Sequence, residues 1–288
     1  MESNFSPKRI AVLGHPKLMD ALTEAKNISE YVSAKGLVSK FGSLNDERLR
    51  KQVHTGEFDA VIAVGGDGTM LRASHLCAPH GIPVLGIYKG RLGFLFQVFD
   101  GGWKKMIDQL FLGEGWVESR MMLGAELTRA GEITGSWSAL NDVVVSRGHI
   151  LRPIHVEATV DGQYLTKYIC DGVIASTATG STAYALAAGG PVLPPELRNI
   201  LLIPIAPHLS VDRAVVLSEG STVSLTVLSD NTVMSIDGQI PINLTEDDIV
   251  SVHSGKYSAK FVRFGDPGYF YRNLTSHMNQ NTLTGLPR

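Results

Sequence analysis

The chain has 288 residues, 44% apolar and 19% charged, a balance that suits a folded globular protein of two medium domains rather than one core. With 26 basic against 28 acidic residues, its net charge of −2 excludes a broad electrostatic footprint for nucleic acid or an anionic membrane. Two cysteines far apart, Cys77 and Cys170, form no CxxC pair, zinc spacing or disulfide framework and read as free thiols in a reducing cytoplasm.

The polar start, Met1 to Arg9, lacks the apolar run of a signal peptide. Arg9 to Leu13 is a short strand, and Leu18, Leu22, Ala25, Ile28 and Val32 then recur at helical spacing until Gly36. A second helix is expected from Asn45 to Thr55. Ala60 to Val64 is a continuous apolar run, as in a parallel strand covered on both faces. Another helix follows near Thr69, and Pro83 to Ile87 is the next strand. Strand and helix in alternation predict a parallel, doubly wound sheet over residues 1–115.

After about Glu118 the pattern turns to short β segments: Val143 to Val145, His155 to Val160, Tyr164 to Tyr168, Thr222 to Leu228 and Ile249 to His253. Asp161-Gly162 between two of them is a hairpin signal, since both central residues of a type I′ turn need positive φ. Asn231 and Ser254-Gly255 offer similar turn chemistry. An all-β domain is expected over 116–264, with a tail, 265–288, returning to the first domain as a helix. The uncharged stretch from Gly172 to Pro195 is too rich in Gly, Ser, Thr and Pro to cross a bilayer.

The strongest local signal is Gly65-Gly66-Asp67-Gly68-Thr69, directly after a buried strand and before a helix. Ligands of open α/β sheets bind at the carboxyl ends of strands. Glycines let the backbone approach a phosphate, and the helix start adds partial positive charge. The alternative is a tight turn with Asp67 as an N-cap. Further on, Asp171 to Tyr184 is dense in small hydroxyl residues and glycines, either a donor-rich surface for sugars and phosphates or simply a loop. GxxxxGK[ST], GxSxG and HExxH are absent, and no GxGxxG follows the first strand.

GGDGTMLR, GRLGFLF (Gly90 to Phe96), ALNDVVV (Ala139 to Val145), DGVIASTATGSTAYALAAGGP (Asp171 to Pro191), PIAPHLSVDRAVVL (Pro204 to Leu217) and IDGQ (Ile236 to Gln239) occur in this order. Together they resemble the NAD kinase family over nearly the whole chain, from Ile10 to Leu274. The resemblance implies an α/β domain, a β-sandwich and a returning tail, and transfer of a phosphoryl group to the 2′-hydroxyl of the adenosine ribose of NAD. It implies ATP or polyphosphate as donor, Mg²⁺ brought with the donor rather than held in a protein metal cage, and a cytoplasmic homodimer or homotetramer.

By the same resemblance Asp67 is the proton acceptor, and Gly65, Gly66, Gly68 and Thr69 line the phosphates. Asn141 and Asp142 match an Asn-acidic pair that contacts the dinucleotide. Asp171, Thr182, Ala183, Tyr184 and Phe94 match nucleotide contacts, with Gly68, Arg72 and Gln239 as further ones. Tyr88, Ala178 and Ala187 depart from residues frequent in the family, and Ala187 removes a hydroxyl. A lipid or sphingoid kinase sharing the GGDGT turn, or a non-catalytic dinucleotide sensor, are the alternative readings.

Overall fold

Apolar runs too continuous to face water on either side set the first half of the chain. The computed structural model describes residues 2–3, 5–89, 95–97, 102–150, 152–208, 212–272 and 274. In chain order the first unit holds β1 (Glu2–Ser3), β2 (Arg9–Gly14), α1 (Met19–Ala34), β3 (Val38–Ser43), α2 (Glu47–His54), β4 (Ala60–Gly65), α3 (Asp67–Cys77), β5 (Val84–Tyr88) and α4 (Trp103–Phe111). Every residue of β4 and β5 is buried, as is β2 beyond Arg9. They pair in parallel in the order β3-β2-β4-β5. Ile10, Val12, Ile62, Val64, Leu85 and Ile87 pack with Ala21, Ala25, Ile28 and Val32 of α1 and with Trp103, Ile107 and Leu110 of α4.

The helix boundaries differ from the sequence expectation for local reasons. Leu18 is 45% exposed and precedes α1; Ala21 replaces it on the buried stripe. The second helix starts at Glu47, not Asn45, because the Asp46 carboxylate accepts the amides of Arg48 at 2.9 Å and Leu49 at 3.1 Å and so caps it. The third starts two residues before Thr69, at Asp67, with Gly66 as its N-cap.

The second unit spans Arg120–Ser258, and the first comprises Met1–Ser119 with Ala259–Arg288. The strands that follow are β6 (Trp116–Arg129), β7 (Glu132–Ala139), β8 (Asp142–Arg147), β9 (Ile154–Val160), β10 (Gln163–Cys170), β11 (Gly172–Ser176), β12 (Asn199–Ile205), β13 (Val215–Ser218), β14 (Val223–Val227), β15 (Thr232–Ile236), β16 (Ile242–Leu244) and β17 (Ile249–Arg263), with a one-turn helix α5 (Tyr184–Ala187) after β11. Within the second unit one sheet carries β10-β9-β14-β17 with β6 and β7, and the other runs β13-β12-β11-β8-β15-β16.

Leu123, Ala125, Val156, Ala158, Leu225 and Val252 of the first sheet meet Val143, Val145, Val173, Ala175, Leu202 and Met234 of the second in one core. Strands β9, β14 and β15 alternate buried and half-buried residues, the period-2 pattern of a sandwich. Strand β11 is buried throughout because its outer face is also covered: Ile174 packs with Ala185 of α5, Leu201 and Ile203.

Asp161 and Gly162 adopt φ of 51° and 76°, as the hairpin signal requires. Ser254-Gly255 is not a turn. Both lie inside β17, where a Cβ on Gly255 would come within 2.9 Å of the Met122 carbonyl oxygen, so the glycine permits close strand approach. In the first unit Phe261 of β17 pairs in parallel with Val84, and a helical turn begins at Tyr269. Arg263, 1% exposed, donates to Glu118 at 2.8 Å and to the Leu95 carbonyl at 3.0 Å, while the Tyr269 hydroxyl donates to the same carboxylate.

Candidate active site

From β2 the chain moves outward to β3 and then returns to the other side of β2 as β4, so the sheet order reverses between β2 and β4. In open α/β sheets ligands bind beyond the carboxyl ends of the strands at such a point. Gly65 ends β4 there, and Asp67 and Gly68 stand exposed in the first turn of α3. The His15 amide, leaving β2, donates to the Val64 carbonyl at 3.0 Å and ties the two strand ends together.

Gly65 admits no side chain: an added Cβ would lie 2.3 Å from Thr69 Oγ1. Thr69 is 1% exposed and packs under the turn. The groups facing outward are Asp67, Gly68 and, half-buried, Gly66. Arg72 is exposed on α3 and its guanidinium donates to the Asn45 side chain. Phe94 lies outside the described residues.

In the second unit, Asn141 and Asp142 sit where β8 begins. They line a pocket of about 410 Å³ with Val144, Ala183, Tyr184 and Asp237. Asp142 is 5% exposed, and burial together with the neighbouring Asp237 pushes its carboxyl up to about 7. Tyr184, 47% exposed, also lines an adjoining pocket with Asp171, which pairs with Arg147 at 3.2 Å. Gln239 is exposed in the turn after β15, its carbonyl accepting from Ser235 Oγ at 2.9 Å.

Most hydroxyls of the Ser176–Thr182 block face inward. Ser176 Oγ donates to the Asn141 carbonyl at 3.0 Å and Thr177 Oγ1 to the Leu140 carbonyl at 2.6 Å. Ser181 Oγ donates to the Ala178 carbonyl at 2.7 Å. Even Thr182, half-buried, donates to the Thr179 carbonyl at 3.2 Å and does not line the pocket. Gly180 lies against the same turn: a Cβ there would be 2.1 Å from the Asn141 carbonyl oxygen. The block is therefore the frame that holds Asn141 and Asp142. Sequence reasoning quoted Asp237 within the IDGQ motif but gave it no role at the site.

Two family models match, the ATP-NAD kinase N-terminal domain over residues 10–114 and the ATP-NAD kinase C-terminal domain over residues 140–264. The chain is 37% identical over 275 residues to the NAD kinase of Chloroflexus aggregans, covering 95% of this chain and 99% of that one.

The chain belongs to the NAD kinase family.

The NAD kinase of Heliobacterium modesticaldum is 42% identical over 226 residues, covering 78% of this chain and 80% of that one. Among solved structures, an NAD kinase from Archaeoglobus fulgidus in complex with ATP superposes with a TM-score of 0.73 at 26% identity, over 93% of this chain and 97% of that one. A yeast NADH kinase complexed with NADH has the same fold, with a TM-score of 0.79 at 22% identity over 100% of this chain and 98% of that one. Within the NAD kinase match, Asp67 falls in the N-terminal model and Asn141, Asp142, Asp171 and Tyr184 in the C-terminal one.

Proposed function

We propose that this chain transfers a phosphoryl group to the 2′-hydroxyl of the adenosine ribose of NAD, with Asp67 accepting the hydroxyl proton. The observation that carries the reading is the GGDG turn, an exposed carboxylate at a helix start between two glycines, placed at the strand-order reversal of a chain in the NAD kinase family. The bond from the 2′-oxygen to phosphorus forms as the terminal phosphoanhydride of the donor breaks, and the proton passes to Asp67. Such a base typically contributes about 10²–10⁴-fold, with positioning and charge stabilisation supplying the rest.

Gly66 and Gly68 line the phosphates, with Arg72 beside them on α3. Asn141, Asp142, Ala183 and Tyr184 take the nucleoside, and Asp171 takes a more distant part of the dinucleotide. ATP is the favoured donor, in keeping with the Archaeoglobus kinase solved with it, and polyphosphate is a second candidate. Mg²⁺ supplies charge neutralisation when bound with the donor. The donor's phosphate oxygens and water would hold it for the most part.

Among the described residues no helix is long and apolar enough to cross a membrane. Strand β10 ends a sheet and exposes Tyr164, an edge that assembly as a dimer or tetramer would cover.

The test is one assay with NAD, 2′-deoxy-NAD, adenosine and a diacylglycerol as acceptors. NAD is expected to be phosphorylated and 2′-deoxy-NAD not. Adenosine is expected to be poor, since it forfeits the remote binding energy of the nicotinamide half. Preference for the lipid, or equal use of adenosine, would overturn the reading.

A further inference from the structure

Asp237 and Gly238 follow β15 with φ of 49° and 66°. Two consecutive left-handed residues reverse the chain, and the Gln239 amide closes the turn onto the Ile236 carbonyl at 2.9 Å. An Asp-Gly pair is ordinary at such a place. Its carboxylate, however, reaches well beyond the turn. Oδ2 accepts the amide of Leu140 at 2.8 Å, and Oδ1 accepts those of Asn141 at 2.7 Å and Asp142 at 3.0 Å. The Asp237 amide in return donates to the Asp142 carbonyl at 2.9 Å.

Three successive peptide planes are thus oriented by one charged acceptor, and hydrogen bonds to an ionised group are the strong kind. From the opposite side, Ser176 and Thr177 hold the carbonyls of Leu140 and Asn141. Neither peptide can rotate without breaking bonds on both faces. The side chains so fixed, Asn141 and Asp142, face the pocket that Asp237 and Gly238 also line.

We propose that Asp237 is a positioning residue for dinucleotide recognition, orienting Asn141 and Asp142 through these three amide bonds and placing a second carboxylate beside Asp142. The inference rests on the reading of Asn141 and Asp142 as dinucleotide contacts. It adds a residue that acts through them. The ionisable groups around Asp142 are Asp237 from the turn after β15 and Tyr184 from α5, with the Arg147–Asp171 pair in the adjoining pocket. An ionised Asp142 accepts hydroxyl donors, and the Asp237 charge opposes that ionisation.

The experiment measures kcat and KM for NAD against pH in the full-length wild type and in Asp237→Asn, Asp237→Gly and Asp142→Asn. Asn and Gly both tolerate positive φ, so the turn itself is preserved. Asp237→Asn is expected to raise KM by roughly tenfold, within the 10²-fold that a displacement of about 1 Å can cost, with a smaller change in kcat. Loss of the charge is also expected to move the part of the acid limb of kcat/KM that Asp142 sets to lower pH, and Asp142→Asn to remove that part while leaving the limb set by the base Asp67.

An unchanged KM, or a raised KM with the acid limb in its wild-type place, would overturn the assignment. So would failure of both Asp237 variants to fold while Asp142→Asn folds, since Asp237 would then be a folding residue. A wild type that does not phosphorylate NAD would overturn the underlying reading instead, and the two failures are distinguishable.

Discussion

Thr177→Val keeps the shape of a buried side chain and deletes one hydroxyl. In the structure that hydroxyl donates to the Leu140 carbonyl at 2.6 Å and accepts the Gly180 amide at 3.0 Å, both in buried surroundings. Valine leaves both backbone groups without this partner and opens no cavity. An unsatisfied buried polar group costs about 1–3 kcal/mol, so the pair predicts a loss of roughly 2–6 kcal/mol. Thr177→Ser keeps the hydroxyl and loses one methyl, worth about 0.8 kcal/mol. Urea unfolding of the wild type and both variants measures the difference, with kcat and KM for NAD as the second readout. Valine is expected to be much the worse of the two and to raise KM, because the Leu140–Asp142 turn loosens. A valine variant within about 0.5 kcal/mol of wild type, the ordinary scatter of neutral surface changes, would refute the view that this block is a frame.

Gly180→Ala forces a Cβ to within 2.1 Å of the Asn141 carbonyl oxygen, and overpacking of this kind costs about 1–3 kcal/mol; thermal unfolding is expected to fall accordingly, and an unchanged midpoint would count against it. The carboxyl of Asp142 is raised to about 7 in the fold, so the native state binds more protons than the unfolded one between the ordinary carboxylate range and neutrality. Its contribution to stability is therefore present at low pH and lost as pH rises towards 7, and the gain in stability from Asp142→Asn should grow over that window and then level off. Arg263→Met removes a buried guanidinium from the Glu118 carboxylate and is expected to cost several-fold more than breaking the exposed Arg198–Glu219 pair, which should cost less than about 1 kcal/mol; urea titrations of the two compare them directly. Light scattering is expected to show a dimer or tetramer at micromolar concentration, and a monomer alone would contradict the proposed assembly.

The parallel half of the fold was legible because strands covered on both faces, such as Ala60–Gly65, leave unbroken apolar runs. The sandwich was legible only in part. Glu132–Ala139 is nearly all exposed or half-buried, and its sequence carries little alternation to betray a strand. Asn199–Ile205 is an apolar run as clear as those of the first unit, but between loop-rich segments its length alone does not separate strand from buried helix. Ser254-Gly255 misled because a glycine that admits a neighbouring backbone looks, in sequence, like one that turns the chain.

At the site, the glycine-rich motif after a buried strand singled out Asp67, but no signal in the sequence marked the inward direction of Ser176, Thr177 and Ser181, since a hydroxyl that caps a carbonyl and one that meets a ligand are the same letter. The role of Asp237 was hidden for the same reason. Its amide partners lie nearly a hundred positions away, and no local spacing encodes them.

The most direct test is Asp67→Asn, with turnover and NAD binding measured on the same folded sample. The account predicts NAD binding retained and turnover lowered by at least about 10²-fold, the usual worth of a positioned base. Near-normal turnover in the folded variant would contradict it.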